Sequence, residues 1–449
     1  MFFHDRRQAA RSLAWVPALL CLAMTGTAQQ RISQDTAIRV PELEAELEKV
    51  YTREGPLGTV SRRLYIPYPR PNVSSVMTTD YVGREGLRRF EVLTYQVFDD
   101  VYQDAERRYS EDNGKTWTAW ESDPEAAIVC AGDYSRQKFV PTGPSRGCYD
   151  PESGLLVQPY SLATFAGDPR QTGLRGTNYH AFIRTSADDG RTWTEAGMIR
   201  YQDGPEYDPA RLRDPAFLNT NYAIFYYNII PAPGGGVMFP ADTSGGARVF
   251  TGRWNKGEGR YRWTAGELVS ISPKLSGYVA EPWLAVLSDG RILLDMRGTN
   301  HGTEPRAPGR HWYSLSSDGG KTWTEPADWR YDDGAQFFSP ATMAKILRHT
   351  RTNKLYWFGN ISPRQTDGNS PRYPFYLAEI DETRPAIQRA TLTVIDDYDP
   401  ARHTSAVQFS NFYVFENRET QEFEIYLSPY GQYGNVYQAS VYRYAIRLK

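Results

Sequence analysis

Glu281 and Arg297 bracket one predicted hairpin. Ala280-Glu281-Pro282-Trp283 opens its first strand, Ser288-Asp289-Gly290-Arg291 supplies the turn, and Ile292-Leu293-Leu294-Asp295-Met296-Arg297 is the return strand, so both side chains fall at the same end. A guanidinium fork pairs bidentately with a carboxylate, so Arg297 can clamp an acidic substrate, or it can satisfy Glu281 as an internal ion pair. Arg372, with Arg364 as competitor, follows a long polar loop after Leu355-Tyr356-Trp357-Phe358 and can supply a second guanidinium or cap that loop. Asp99 and Asp100 are neighbouring carboxylates whose pKa values can separate to leave one protonated acid; a solvated turn is the plainer reading. Asp214, beside Arg213, opens another extended run. The chain has 6 His, and His180 and His301 lie in polar predicted loops. A His or Tyr base beside carboxylate-binding arginines is what β-elimination of a uronate requires, although a single His is more often a structural hydrogen-bonding residue.

The elements that must position these residues announce themselves by repetition. Ser110-Glu111-Asp112-Asn113-Gly114-Lys115-Thr116-Trp117, Ser186-Ala187-Asp188-Asp189-Gly190-Arg191-Thr192-Trp193 and Ser316-Ser317-Asp318-Gly319-Gly320-Lys321-Thr322-Trp323 share the pattern S-x-D-x-G-[KR]-T-W, each after an extended run. Its parts have plain roles: the Asp accepts backbone N–H groups across a tight turn, Gly takes a positive φ, and Trp packs beneath. Three matches at this length define repeated supersecondary units.

These are Asp boxes, and on them the chain resembles the sialidase superfamily. The resemblance implies an all-β fold, a six-bladed β-propeller of four-stranded antiparallel blades, each box lying at the turn between third and fourth strands, away from the active site. Blades are expected at about 69–125, 140–200, 212–270, 278–330, 335–396 and 403–449. Gly234-Gly235-Gly236-Val237-Met238-Phe239-Pro240-Ala241 resembles the family's G-x-G-[IV]…P strand, and the Glu281 to Arg297 hairpin its E-P…DGR…M-x-R segment. By that resemblance Glu281 is the carboxylate that supports a tyrosine nucleophile, and Arg297 and Arg372 belong to a carboxylate-clamping triad. Asp99-Asp100 stand near the acid/base Asp, and Asp214 is a further axial carboxylate. Two departures stand out. The R-I-P arginine is met by Leu64-Tyr65-Ile66-Pro67, leaving Arg70 as substitute, and Phe409 stands where the nucleophilic tyrosine belongs, with Tyr413, Tyr430 and Tyr433 as replacements. The expected function is a sialidase-like glycoside hydrolase releasing a terminal acidic sugar. A uronate lyase and a non-catalytic glycan-binding propeller are the alternatives.

Composition bounds the rest. A net charge of −2 provides no global field for nucleic acid, so local arginines must bind any acidic ligand. With 31 Tyr, 11 Trp, 37 Gly and 30 Pro, the chain suits short strands, tight turns and carbohydrate stacking. Arg6, Arg7 and Arg11 precede the apolar run Leu13 to Met24, and Gly26-Thr27-Ala28 follows. That order is a secretory signal over 1–28, with cleavage expected after Ala28, a polar leader with a short helix over 29–60 (Leu43, Leu47 and Val50 at helical spacing), and the propeller over 61–449. The run is too short to span a bilayer, so a secreted monomer without membrane insertion is expected. Cys130 and Cys148 remain after export, an even count in an oxidising compartment, and a disulfide between them is the natural reading. No cofactor or metal is expected, since HExxH, P-loop, dinucleotide and EF-hand patterns are missing from the sequence.

Overall fold

Along Gly58–Ile66 buried and half-buried residues alternate at every position, and Ser74–Tyr81 largely repeats the alternation, the period of strands with two unlike faces. The computed structural model describes residues 31–98, 101–123, 136–139, 147–164, 177–194, 197–208 and 210–449. Its strands form six small antiparallel sheets, and the protein is a six-bladed β-propeller. Innermost strand first, blade one is Ser74–Tyr81, Arg89–Phe98, Val101–Ser110 and Glu121–Ser122; blade two is Arg136–Phe139, Leu156–Thr164, Asn178–Ser186 and Gly197–Met198. Blade three is Ala223–Phe225, Val237–Thr243, Gly246–Asn255 and Arg260–Ala265; blade four is Val279–Val286, Ile292–Gly298, His311–Ser316 and Ala327–Asp328. Blade five begins with Lys345–Arg348, Leu355–Asn360 and Phe375–Asp381, the last pairing with both Ala386–Ile387 and Thr393–Asp396.

Blade six corrects the sequence-based boundaries. Its first three strands are Tyr413–Glu416, Phe423–Leu427 and Val441–Leu448, but its outer two, Gly58–Ile66 and Tyr51–Glu54, come from the N-terminal side. Gly58 pairs with Leu448 and Ile66 with Val441, so the strand otherwise left at an open edge is covered and the ring is closed. The leader therefore contributes to the propeller from Tyr51 onward. The predicted helix is present as Pro41–Leu47 with Pro at its first position, where a missing N–H costs nothing. Leu43 is buried and Leu47 packs against the same apolar cluster of blades five and six, whereas Val50 lies past the helix and is exposed.

Apolar clusters fill the spaces between neighbouring blades. Phe358 and Phe375 of blade five meet Phe423 and Tyr444 of blade six, and Trp357 of blade five joins Leu293 of blade four. A charged cluster spans blades one and six: Glu424 is fully buried and ion-paired with Arg89 at 3.3 Å and Arg443 at 2.8 Å.

The three boxes repeat one hydrogen-bond set at the turn between third and fourth strands of blades one, two and four. In the first, Asp112 accepts Thr116 N–H at 2.8 Å and Thr116 Oγ1–H at 2.7 Å, and Ser110 Oγ accepts Gly114 N–H at 2.7 Å. Asp188 and Asp318 do the same with Thr192 and Thr322. Asn113 and Gly114 both take positive φ, 63° and 81°, and a side chain on Gly114 would press on Trp117 at 3.0 Å. These donors hold all three carboxyls down to about 2. Since the folded value is below the ordinary Asp value of about 4, this stabilisation is present above pH 4 and is lost as pH falls towards 2. Replacing Asp112, Asp188 and Asp318 together with Asn is expected to flatten that part of the melting-temperature curve against pH. An unchanged acid slope would show that the boxes do not carry it.

Candidate functional site: a tyrosine-lined cavity with two carboxyl groups

Glu281 sits on an irregularity in the innermost strand of blade four. Ala280 pairs with Arg297 and Trp283 with Asp295, so the register shifts between them, and Glu281 takes a φ of 51°. Pro282 follows, with no N–H for the ladder. A bulge of this kind turns a side chain away from the sheet, and a bulky residue at positive φ persists only where its surroundings compel it. The Glu281 carboxylate meets Arg297 Nη1 at 2.8 Å, both side chains being 12% exposed. Arg297 Nη2 lies 3.4 Å from the Tyr278 hydroxyl and 3.3 Å from Asn369 Oδ1, while its Nε makes no hydrogen bond.

Asp242 completes the group and is the main residue that sequence reasoning missed. It is the penultimate residue of the second strand of blade three, pairing with Ile224 as Arg297 pairs with Ala280 in blade four. The two side chains thus occupy equivalent places on adjacent blades. Asp242 is buried, and burial pushes its carboxyl well above the usual range; the negative charge of Glu281 adds to this, while hydrogen bonds from the Tyr226 hydroxyl and the Glu281 backbone N–H oppose it. Burial likewise pushes the Tyr226 phenol up, so it stays protonated as a donor. Asp242 Oδ1 and Glu281 Oε2 are both buried oxygens without a hydrogen-bond partner. The signal for Asp242 lay in the Gly234 to Ala241 strand, whose next residue it is.

Asp242, Glu281 and Arg297 line a cavity of about 800 Å³ whose wall carries Tyr102, Tyr179, Tyr222, Tyr226, Tyr227 and Tyr278. Lys345, from the innermost strand of blade five, is also on this wall. Its ammonium lies 5.3 Å from the Trp283 ring, 5.0 Å from Phe412 and 5.4 Å from Tyr413, and donates to the Phe412 carbonyl.

Of the residues singled out in the sequence, the structure brings together Glu281 and Arg297, as a directly paired couple. The others go elsewhere for identifiable reasons. Arg372 is a buried tie between blades, donating to Gln408 Oε1 at 2.9 Å, Ser410 Oγ at 3.1 Å and the Ala341 carbonyl at 2.7 Å. Arg70 is half-buried between the strands Gly58–Ile66 and Ser74–Tyr81, outside the cavity wall. Asp214 caps the short helix Pro215–Leu218 through Ala216 N–H and pairs with Arg211, and Arg213 is exposed beside it. His180 is buried against Phe217, its Nε2 3.1 Å and 3.0 Å from the Phe217 and Thr220 carbonyls, and burial lowers its pKa. His301 stands exposed beside Asp367 at 3.2 Å. Asp99, Asp100 and Cys130 lie outside the described residues; Cys148 is buried.

The two departure segments, Leu64 to Pro67 and Phe409, are not on the cavity wall. Leu64-Tyr65-Ile66-Pro67 ends an outer strand of blade six, where the Tyr65 hydroxyl donates to Glu91 at 2.7 Å. The innermost strand of blade one offers Val76 and Thr78 to the cavity. Phe409 is buried in the core, and Asn411 and Phe412 reach the wall instead. Tyr413 donates to Asp80 at 2.9 Å, Tyr430 to Gln96, and Tyr433 packs edge-on to Tyr68, so these three hydroxyl-bearing rings are placed away from the wall. Arg372→Ala is accordingly expected to lower stability by about 1–3 kcal/mol through the acceptors it strands and to leave acidic-glycan affinity intact. A thermal melt and a titration on one sample check both, and lost affinity at an unchanged melting temperature would return Arg372 to the site.

No protein-family model and no curated protein matches this chain. Among solved structures it is similar to a protein of unknown function from Dyadobacter fermentans, at a TM-score of 0.53 and 12% identity, covering 86% of this chain and 99% of that one. It is also similar to the NanB sialidase of Streptococcus pneumoniae, at 0.54 and 12%, covering 92% and 73%. A third is the Hadza microbial sialidase Hz136, at 0.51 and 15%, covering 84% and 65%. At these identities the likeness is one of fold alone.

Proposed function

We propose that this propeller is a glycoside hydrolase that releases a terminal acidic sugar from a glycan. One observation carries the reading: two carboxyl groups share the cavity in different surroundings, Asp242 buried so that its protonated form is favoured and Glu281 paired with Arg297 at 2.8 Å. Separated carboxyl states are what acid and base roles require. Asp242 gives its proton to the departing glycosidic oxygen as the C–O bond breaks. Water attacks the anomeric carbon and yields its proton to Glu281, and exchange with solvent resets the pair. Tyrosine faces suit the apolar side of sugar rings, and Arg297 and Lys345 are the cationic contacts for an acidic substituent. A uronate lyase would need a base placed at C5–H; neither His180 nor His301 lines the cavity, so that role would fall to a wall tyrosine, and the product formed separates the two reactions.

Incubation with sialyl, uronate and neutral oligosaccharides tests the reading. Reducing ends appearing from an acidic member, without new ultraviolet absorption, are expected. An unsaturated product would make the protein a lyase, and binding without turnover would make it a lectin-like propeller.

A further inference from the structure

Seven large apolar side chains stand exposed among the described residues, and three of them, Leu268, Leu275 and Tyr278, belong to the segment joining blades three and four. The same segment gives Ile271, Pro273 and Gly277 to the cavity wall, and Leu268 lies beside Gly245, another wall residue. Clustered apolar exposure at a cavity mouth marks a ligand-binding surface. This one is also held in place. Ser276 is buried, its Oγ 2.6 Å from the Tyr278 carbonyl and 3.0 Å from Thr299 N, and Gly277 N–H donates to the Thr299 carbonyl at 2.9 Å. A side chain on Gly277 would meet the His301 carbonyl at 2.0 Å. The base of Tyr278 is thus pinned to the loop that follows Arg297, and its hydroxyl lies 3.4 Å from Arg297 Nη2, yet the residue is 52% exposed.

We infer that Tyr278, flanked by Leu275, is a stacking platform for the second sugar ring of the glycan, on the leaving-group side. The inference rests on the reading of the cavity as a glycan site. A terminal sugar between Asp242 and Glu281 must send its glycosidic oxygen towards the mouth, where Tyr278 stands three residues before Glu281. The next ring then meets an aromatic face that is already fixed, and the C–H face of a pyranose packs on such a surface with little loss of side-chain freedom.

Two probe pairs test this, each sharing a terminal acidic sugar: 3′-sialylgalactose against methyl sialoside, and digalacturonate against methyl galacturonoside. Binding is titrated on the full chain carrying Asp242→Asn to prevent cleavage, and KM is read on the otherwise native chain. Tyr278→Ala is expected to cost the two-ring probe about tenfold more affinity than the methyl glycoside. Tyr278→Phe keeps the ring face and should retain that preference, and Leu275→Ser should reduce it in the same direction by less. Equal losses for both members of a pair would overturn the platform, as would unchanged KM for the two-ring probe in Tyr278→Ala, which leaves the hydrolase reading intact. Loss of the preference without any turnover would support the platform and remove the hydrolase. Failure of all four probes to bind would overturn both.

Discussion

Asp242→Asn is expected to lower turnover by about 10²–10⁴-fold while raising the melting temperature at neutral and alkaline pH. The two effects have one cause. Burial, then the negative charge of Glu281, raises the Asp242 carboxyl well above its ordinary range, which suits it to the proposed role of proton donor and also makes it a liability. A carboxyl whose folded pKa exceeds its unfolded value supports folding below about pH 4 and progressively less as pH climbs towards the raised value. Asn keeps the shape, still accepts from Tyr226 and the Glu281 N–H, and has no proton to lose. Stability of the native chain should therefore decline with rising pH across this window, and the variant's should not. Turnover and thermal melts from pH 5 to 9 on both proteins decide the matter. A variant with native turnover would remove Asp242 from the chemistry. Slow turnover with an unchanged melting profile would mean that the carboxyl is already ionised in the fold.

How much of this was legible in the sequence depended on how local the determinants were. The three repeated turns are legible because Ser, Asp, Gly, Thr and Trp meet within eight residues, and the hairpin bringing Glu281 to Arg297 closes over one turn. Asp242 was within reach by the same logic, since the end of each second strand lies at the axial face. The recognisable glycines and Pro240 end at Ala241, one residue before it. Arg372 was not legible: the path of the loop that precedes it decides whether it points at the axis or at Gln408 and Ser410. Phe409 was not placed by any local pattern: it is buried in the core, Ser410 is buried, Asn411 takes a φ of 57°, and Asn411 and Phe412 are the residues on the wall. The strands Tyr51–Glu54 and Gly58–Ile66 pair with the far end of the chain, a contact no local pattern contains.

A different long-range contact, the charged cluster between blades one and six, carries the largest expected loss of stability. Glu424 lies in the second strand of blade six and is fully buried; burial alone would raise its carboxyl, but Arg89 of blade one and Arg443 override it and hold it down to about 2. Tyr426 also donates to it at 3.1 Å, and Arg89 is almost as deeply buried. Glu424→Gln preserves shape but leaves two guanidiniums without their counter-charge. Breaking a buried pair from one side costs about 3–5 kcal/mol, because the remaining charge stays out of water. Glu422, two residues earlier, provides the contrast: its partner Arg447 is 78% exposed, and Glu422→Gln should cost at most about 1 kcal/mol. The depressed Glu424 value also adds acid sensitivity, its stabilisation being complete above the ordinary Glu value of about 4.3 and lost as pH falls towards 2. Denaturant unfolding of both variants at pH 7 measures the difference. Equal, small losses would mean that blades one and six are held by apolar packing and strand pairing alone, with the buried charges neutral in their net effect.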